Sequence, residues 1–427
     1  MQFEQLTGIT FPILGNSRVM ALVITTHVFF AFIAVGSFYV SLLAEYLGYK
    51  RNQPQFDRLA KGYMTFIAQM VKINGVLGVA ILVLLISLFP IFTGWLYTIF
   101  FWPLIGEVFF FMVLMASSIW YRETWEKYAN RKPAHLVIGI FCAGAATLSA
   151  LIINAAQAFM LTPGKYFATK NLLDAVFNPT MVPSAFHLLI PCILNAAAVL
   201  GIYAYIQHRK KLTEQSYYNF VGAFTARITA WGILLQPPAG LFYLWVVYGA
   251  NHTAFQNIIS GISAPFFWTM VTLGSIGFIL SIIYLIRGWE RGKTVFLISA
   301  ILVLFAFPFG AYNRERARKP FLVYGQMYMT QKPVVQPPII SMNTTAKEIV
   351  PSSKSGKDII QEHNCSVCHV IQGKGGTVGP ELKGLNKKFN ADKVQLEKFL
   401  LSPPVAMPPF DGSSADLDIL VEYLLHL

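Results

Sequence analysis

The stretch VMALVITTHVFFAFIAVGSFYVSLLAEYLGYKR, residues 19–51, shows the pattern that decides the fold. It contains no Asp, Glu, Lys or Arg from Val19 to Ala44, and it closes on Lys50 and Arg51. A helix of about 20 apolar residues is long enough to cross the hydrocarbon core of a bilayer. The stretch therefore predicts a membrane-spanning helix whose far end meets a basic loop.

Apolar runs of the same kind recur along the first three quarters of the chain. They predict eight membrane helices, at about 19–45, 63–89, 95–120, 134–161, 184–206, 219–249, 262–286 and 294–312. The composition agrees, because 55% of the 427 residues are hydrophobic and only 12% are charged, whereas soluble domains carry about 25% charged residues. The predicted fold class is all-α, with a polytopic membrane helix bundle and a small soluble α-helical domain after it.

The charges of the loops predict the orientation of this bundle. Basic clusters follow the first, third, fifth and seventh spans, and the alternate loops carry few basic residues. By the positive-inside rule, the N-terminus lies outside, and eight spans return the chain to the same side. These loops account for the formal net charge of +13, so nucleic acid is excluded as a partner. The N-terminus has no basic n-region or small-residue cleavage site, which predicts no cleaved signal peptide.

The last quarter of the chain changes in composition. Residues 320–354 are rich in Pro, Ser and Thr and predict an extended linker, and residues 355–427 have the size of a small soluble domain. The membrane domain is therefore expected over residues 1–319. Two of the four cysteines, Cys142 and Cys192, lie singly in apolar spans and are predicted to be packing residues.

The other two cysteines form the motif C-S-V-C-H, with Cys365, Cys368 and His369. C-x-x-C-H is the attachment motif of a c-type haem, in which two thiols bond the porphyrin and the histidine ligates the iron. The domain resembles class I cytochrome c, which makes Met407, in P-V-A-M-P-P-F, the second axial ligand of a His/Met iron. The alternative is that Met407 is only a loop residue. Covalent haem c is expected on the outer side, in agreement with the loop charges.

Several polar side chains fall inside the predicted spans, where ionisable residues are costly and mark functional sites. With a rise of about 1.5 Å per residue, His187 lies about 5 Å, Met270 and His27 about 12 Å and Glu107 about 18 Å from the outer ends of their helices, and Glu315 lies at the outer mouth. Each has a simpler explanation, such as a helix-to-helix hydrogen bond or methionine packing. Their common depth predicts a cluster of haem ligands near the outer surface.

The membrane region resembles the large, haem-binding subunit of cytochrome bd-type quinol oxidases, from about residue 15 to 325. The segment N-S-R-V-M-A-L-V-I-T-T-H implies that His27 ligates a high-spin haem, and P-L-I-G-E implies that Glu107 belongs to the same site. N-P-T-M-V-P-S-A-F-H and W-T-M-V-T-L-G imply that His187 and Met270 ligate a low-spin haem b. E-R-A-R-K-P-F implies that Glu315 is a further haem ligand.

The sequence also departs from that family. Met115 stands where the family has a second carboxylate after Glu107, which puts its proton path in question, and Trp268 stands where it has an arginine. The long quinol loop between the sixth and seventh spans is reduced to about a dozen residues, among which His252 alone could exchange a proton. A cytochrome c takes the place of the ninth span. These changes indicate that the quinol site is lost and that another electron port has been gained.

The resemblance implies a bd-like oxidoreductase that passes electrons between a covalent haem c, one low-spin haem b and a high-spin haem b or d. Its acceptor would be dioxygen, reduced to water at a site with His27, Glu107 and Glu315. The implied partners are other membrane subunits of a respiratory complex, a soluble or membrane cytochrome c or redox enzyme, and, as an alternative donor, quinol. The implied location is the bacterial inner membrane, with the N-terminus and the cytochrome c domain in the periplasm.

Two other functions are alternatives to a bd-like oxidase. An electron-transfer subunit could relay electrons between membrane haems and a soluble partner without oxygen chemistry. The methionine at position 115 favours this alternative, and the presence of all five membrane ligand candidates disfavours it. A transporter with a sensor cytochrome is disfavoured because the sequence has no half-helix repeat.

Overall fold

The computed structural model describes residues 9, 11, 13–210, 214–261, 263–334, 354–376, 378–403, 407–410 and 412–427. Within these ranges, seven helices are long and apolar enough to cross a membrane. They are α1 (Asn16–Arg51), α2 (Pro54–Leu88), α3 (Pro90–Glu123), α4 (Lys132–Leu161), α7 (Met181–Lys210), α8 (Gln215–Ala250) and α10 (Ala264–Ala317). Three short helices lie in the connections: α5 (Tyr166–Thr169), α6 (Leu172–Val176) and α9 (His252–Ile259).

The longest of these helices, α10, is a hairpin of two spans. Its 54 residues would extend about 80 Å as one helix, far more than the thickness of a bilayer. The chain reverses at Gly288, whose φ of 67° and ψ of −178° lie in a region open essentially only to glycine. Ser281 Oγ and Ser299 Oγ are 3.0 Å apart across the two arms. With α10 counted as two arms, the seven apolar helices of the described residues correspond to the eight predicted apolar runs.

Small residues allow the helices of the bundle to approach closely. At Gly36 of α1, a side-chain carbon would lie 1.8 Å from the carbonyl oxygen of Cys192 in α7, so the two backbones are in contact. Ala196 and Ala197 are fully buried in the same core. Small residues at helix interfaces are typical of membrane bundles, where packing holds helices together. Cys142 and Cys192 are free and fully buried, as expected for packing residues.

The contacts divide the chain into two compact units. One comprises residues 22–83 and 95–317, and the other comprises residues 1–21, 84–94 and 318–427. The second unit corrects the predicted linker over residues 320–354, because its first part is folded. Strands β1 (Phe321–Val323) and β2 (Met327–Tyr328) pair antiparallel. Their apolar side chains are buried. The proline-rich composition of this segment does not indicate such burial. Residues 335–353 of the predicted linker lie outside the described residues.

The β1–β2 hairpin is tied to the start of α3 within the second unit. Gln331 Oε1 accepts hydrogen bonds from the main-chain N–H groups of Ile91 and Phe92, at 3.0 and 3.2 Å. The first N–H groups of a helix have no partner inside the helix, so a side chain that accepts from them stabilises the helix end. The predicted linker therefore begins with a segment that caps a membrane helix.

The C-terminal part of the same unit is small and mainly helical. Its elements are α11 (Gly356–Glu362), a 3₁₀ turn (Cys365–Val367), β3 (Val370–Ile371), β4 (Lys374–Gly375), α12 (Leu385–Lys388), α13 (Lys393–Leu401) and α14 (Ser414–Leu425). Ser355 and Asp358 form a capping box that starts α11. The amphipathic α14 buries Leu420 and Val421 against Ile359 of α11. This packing forms the core around which the C-S-V-C-H motif is placed.

Candidate functional site

The C-S-V-C-H motif forms a tight turn directly after α11. Asn364, in a left-handed conformation, begins the 3₁₀ turn of Cys365–Val367. The main-chain N–H of His369 then donates to the carbonyl oxygen of Cys365 at 3.0 Å. Both cysteines are free and half-buried, and burial raises the pKa of each thiol to about 11. The turn therefore holds two protonated thiols and an imidazole within one short segment.

His369 is oriented by its neighbours. Its Nδ1 lies 2.7 Å from the carbonyl oxygen of Pro380, which can only accept, so Nδ1 carries the proton and Nε2 keeps a lone pair. Burial lowers the pKa of this imidazole, which keeps it neutral near pH 7. At Gly379, a side-chain carbon would lie 2.4 Å from Cε1 of the ring, so only glycine allows the ring to take this position. A neutral histidine with a fixed tautomer is what iron ligation requires, and these residues fit a covalent haem c.

Met407 is half-buried and packs against the core of the C-terminal domain. The three residues before it lie outside the described residues. The described contacts place Met407 beside this core and do not join it to His369. Its role as the second axial ligand therefore stays a prediction.

The first testable prediction concerns the attachment of this haem. Protein denatured in detergent and run on a gel is expected to keep a haem stain, because thioether bonds from Cys365 and Cys368 survive unfolding. A Cys365→Ser/Cys368→Ser double variant is the matched control and should lose the stain. A wild-type band without stain would show that the motif does not attach haem.

His187, on α7, has a defined set of neighbours on α8. Gln236 Nε2 lies 2.9 Å from His187 Nδ1, and the ring of Tyr243 stacks on the imidazole with centroids 5.7 Å apart. Gly240 leaves the ring room, since a side-chain carbon there would lie 3.4 Å from His187 Cε1. The amide oxygen of Gln236 and the hydroxyl of Tyr243 are buried without a hydrogen-bond partner among the described residues. Unpartnered polar atoms beside an imidazole fit a site that holds a further group.

The orientation of the Gln236 amide bears on iron ligation by His187. As placed, the amide N–H donates to Nδ1, which leaves the ring proton on Nε2. Ligation through Nε2 requires the opposite tautomer, with an acceptor at Nδ1. The amide N–H also donates to the main-chain oxygen of His187 at 3.3 Å. A rotation of the amide by 180° would give up both bonds and bring its unpartnered oxygen beside Nδ1. Gln236 is therefore the described side chain that fixes the tautomer of His187.

Met270 lies on the first arm of α10 and faces the second. A side-chain carbon at Gly310 would lie 2.7 Å from Met270 Sδ, so the missing side chain of this glycine makes room for the thioether. The described contacts place Met270 against Gly310 and His187 against Gln236, Gly240 and Tyr243. They do not join the two side chains, and the His187/Met270 ligand pair stays a prediction.

The three residues predicted for the high-spin site lie on three helices. His27 of α1 faces Gly78 of α2, and its Nδ1 is buried without a hydrogen-bond partner among the described residues. Glu107 of α3 is half-buried and accepts a hydrogen bond from the hydroxyl of Ser149, at 2.9 Å. Glu315 lies in the last turn of α10. The described contacts do not bring the three side chains together, although the unpartnered His27 nitrogen fits a metal ligand.

One polar cluster escaped the sequence analysis. Glu45 at the end of α1, His135 at the start of α4 and Tyr121 of α3 are all buried and hydrogen-bonded to one another. Each lies at or next to the end of a predicted span, where charged and polar residues are ordinary. The partners lie far apart in the sequence, so only the fold brings them together. One feature could have indicated a buried Glu45: α1 continues for six residues beyond it, to Arg51.

Comparisons with known proteins match both parts of the chain. The model of cytochrome bd terminal oxidase subunit I matches residues 17–248, and that of cytochrome C oxidase, cbb3-type, subunit III matches residues 351–424. Among solved structures, the bd oxidase from Geobacillus thermodenitrificans is similar in fold, with a TM-score of 0.64 and 20% identity over 70% of this chain and 86% of that chain. No curated protein sequence matches significantly.

The fold and the haem-binding motif together define a haem-based membrane oxidoreductase with a cytochrome c region at its C-terminal end. The first family model covers more than half of the 427 residues. The chain belongs to the cytochrome bd terminal oxidase subunit I family. Its family implies haem b or d in the membrane region, and its C-terminal region implies haem c.

Proposed function

We propose that this protein is the haem-bearing subunit of a respiratory oxidase that receives electrons through its fused cytochrome c and reduces dioxygen to water. The observation that carries the proposal is the His369 turn, with its imidazole fixed by Pro380 and Gly379, in a chain whose membrane region belongs to the bd oxidase family. When bound, the haems would carry single electrons and, at one iron with a free axial position, reduce dioxygen.

The residues of this chain have distinct roles in the proposal. His369 and Met407 hold haem c together with the two thiols, His187 and Met270 hold a low-spin haem b, and His27, Glu107 and Glu315 form the high-spin site. His187 is half-buried, and with the Gln236 oxygen turned to its Nδ1, its Nε2 would keep a lone pair for iron. The thioethers of Met270 and Met407 are neutral donors, which favour a raised reduction potential. Glu107, bonded to Ser149, can hold or release a proton at its carboxylate.

The proposed arrangement follows the loop charges. The N-terminus and residues 355–427 would lie in the periplasm, and the membrane domain, residues 1–319, would lie in the bacterial inner membrane. The partners would be further membrane subunits and a soluble or membrane cytochrome c or redox enzyme. Quinol is the alternative donor, but the connection between α8 and α10 is the short α9, where His252 is exposed beside Gln256.

A second function is an electron-transfer subunit without oxygen chemistry. The observation in its favour is Met115, which is 39% exposed. It lies two helical turns after Glu107, where a second carboxylate would serve proton delivery. In this alternative, each haem iron has two protein ligands and no free position.

The two functions are distinguished by carbon monoxide and by an oxygen electrode. Purified full-length protein is expected to show a CO-induced change in its reduced spectrum and to consume oxygen with reduced cytochrome c as donor. A His27→Ala variant should lose the CO response and the oxygen consumption while it keeps haem c and the low-spin haem b. A wild-type protein that neither binds CO nor consumes oxygen would refute the oxidase and leave the electron relay.

A further inference from the structure

The Glu45–His135–Tyr121 cluster lies in the membrane bundle, at the end that the basic loops mark. Glu45 is 0% exposed, and His135 and Tyr121 are each 1% exposed. The Tyr121 hydroxyl donates to Glu45 Oε2 at 2.5 Å, and Glu45 Oε1 lies 2.5 Å from His135 Nδ1. Ionisable groups that are this deeply buried in a membrane protein are costly and are retained where they serve a function.

The hydrogen bonds determine how many protons the cluster holds. His135 Nε2 lies 2.9 Å from the main-chain oxygen of Tyr121, which can only accept, so Nε2 carries a proton. Glu45 Oε1 and His135 Nδ1 then need one proton between them, because two lone pairs at 2.5 Å would repel. If the proton is on Glu45, a neutral acid faces a neutral imidazole. If it is on His135, the two side chains form an ion pair. Moving it between the two atoms leaves the net charge of the cluster unchanged.

One aromatic ring separates the cluster from a charged pair nearer the surface. The ring of Trp125 stands edge-on to His135, with centroids 4.8 Å apart, and is 6% exposed. Lys132 Nζ lies 4.2 Å from the centre of that ring and 2.9 Å from Asp57 Oδ1. A charged pair thus lies over a single aromatic ring that separates it from the buried histidine.

Two buried serines follow the cluster along one face of α1. Ser41 and Ser37 lie one and two turns before Glu45, and both are buried. Ser41 faces the Tyr121 hydroxyl and donates to the main-chain oxygen of Ala60 at 3.2 Å. Ser37 donates to the main-chain oxygen of Ile33 at 2.6 Å and lies 2.8 Å from the hydroxyl of Tyr63. The two serines lie toward the half of α1 that contains His27. Hydroxyl groups both donate and accept, so they can pass protons where carbon side chains cannot.

We propose that Glu45, His135 and Tyr121 form a proton-transfer site that takes up protons beside Trp125 and delivers them along Ser41 and Ser37 toward the membrane haem site. The inference rests on the proposed function, since the reduction of one dioxygen to two waters consumes four electrons and four protons. The protons enter from the side of the basic loops. A proton that reaches His135 moves from its Nδ1 to Glu45. Glu45 then gives a proton to the Tyr121 oxygen as Tyr121 gives its own to Ser41, so each group returns to its starting charge.

The decisive variant is Glu45→Gln. The amide keeps both hydrogen bonds, because its N–H can donate to His135 Nδ1 and its oxygen can accept from Tyr121, but it cannot exchange a proton. Tyr121→Phe is the second variant and keeps the ring that stacks on His135, with centroids 4.6 Å apart. Glu126→Gln is the matched control, since Glu126 is an exposed carboxylate in the connection after α3, paired with Lys61.

The full-length protein with its haems is reduced anaerobically in weakly buffered solution with a pH-indicator dye. The reductant is hexaammineruthenium(II), which gives one electron and releases no proton. We expect Glu45→Gln to keep the wild-type haem content and rate of haem reduction, and to slow proton uptake at least about tenfold. Tyr121→Phe should slow proton uptake in the same direction, and Glu126→Gln should match the wild type.

Two results would overturn the proposal. Proton uptake in both Glu45→Gln and Tyr121→Phe as fast as in the wild type would make the cluster a structural contact between α1, α3 and α4. A wild-type protein that takes up no proton on reduction would also contradict a proton-transfer site. Oxygen consumption is measured separately. Its absence in the wild type refutes the proposed oxidase, while the anaerobic dye measurement still decides the role of Glu45.

Discussion

Replacing His187 with alanine is expected to remove one haem b per protein while covalent haem c is retained in full. Alanine offers no lone pair to the iron, and the space between Gly240 and Tyr243 would lose the His187 imidazole. The measurement is a pyridine haemochrome spectrum, which reports haem b and haem c separately in purified protein. An unchanged ratio of haem b to haem c would show that His187 is not a ligand.

Two further variants separate ligation from packing at this site. Met270→Leu is similar in size but has no sulfur, so the low-spin haem is expected to remain bound and to become high-spin. Gln236→Leu removes the group that orients the His187 ring, and such changes beside a metal ligand typically cost about 10–100-fold in affinity. A Met270→Leu protein with an unaltered low-spin spectrum would assign the sixth ligand to another residue.

The Cys365→Ser/Cys368→Ser double variant is expected to abolish electron entry from reduced soluble cytochrome c. Without the two thiols, the turn after α11 cannot attach its haem, while the membrane ligands are untouched. The measurement is the stopped-flow rate of membrane-haem reduction, with cytochrome c and with a short-chain quinol as separate donors. We expect the cytochrome c rate to fall to background.

The quinol arm of the same experiment tests the rival electron port. If quinol reduces the membrane haems of the variant as fast as those of the wild type, and cytochrome c reduces neither protein, then haem c is not the port of entry. A His252→Ala variant tests whether the α9 connection contributes to quinol oxidation. Its ring is exposed and contacts Tyr248, so the substitution is not expected to disturb the bundle.

The spans could be predicted because each depends on local composition alone. An apolar run between basic loops identifies a membrane helix wherever it occurs, and even the reversal at Gly288 falls between two predicted spans. The β1–β2 hairpin could not be predicted, because its burial depends on contacts such as that of Gln331 with the start of α3. Proline-rich sequence does not reveal such contacts.

The candidate site divides in the same way. Cys365, Cys368 and His369 are recognised from five consecutive residues. Gly379 and Pro380, which orient the histidine, follow about ten residues later in the chain. The partners of the membrane ligands come from other helices, as Gln236 does for His187. Spacing along one helix contains no information about them. The Glu45–His135 pair joins the ends of two spans and was missed for the same reason.

The reversal at Gly288 decides on which face of the membrane the C-terminal quarter of the chain emerges. An even number of crossings returns the chain to the face where it began, and an odd number would deliver it to the opposite one. The parity depends here on a single left-handed residue between two apolar arms. An extra crossing would place the C-S-V-C-H motif on the face where, by the positive-inside rule, the basic loops lie. In the proposed orientation, the turn at Gly288 therefore keeps the chain that follows α10 on the face opposite the basic loops.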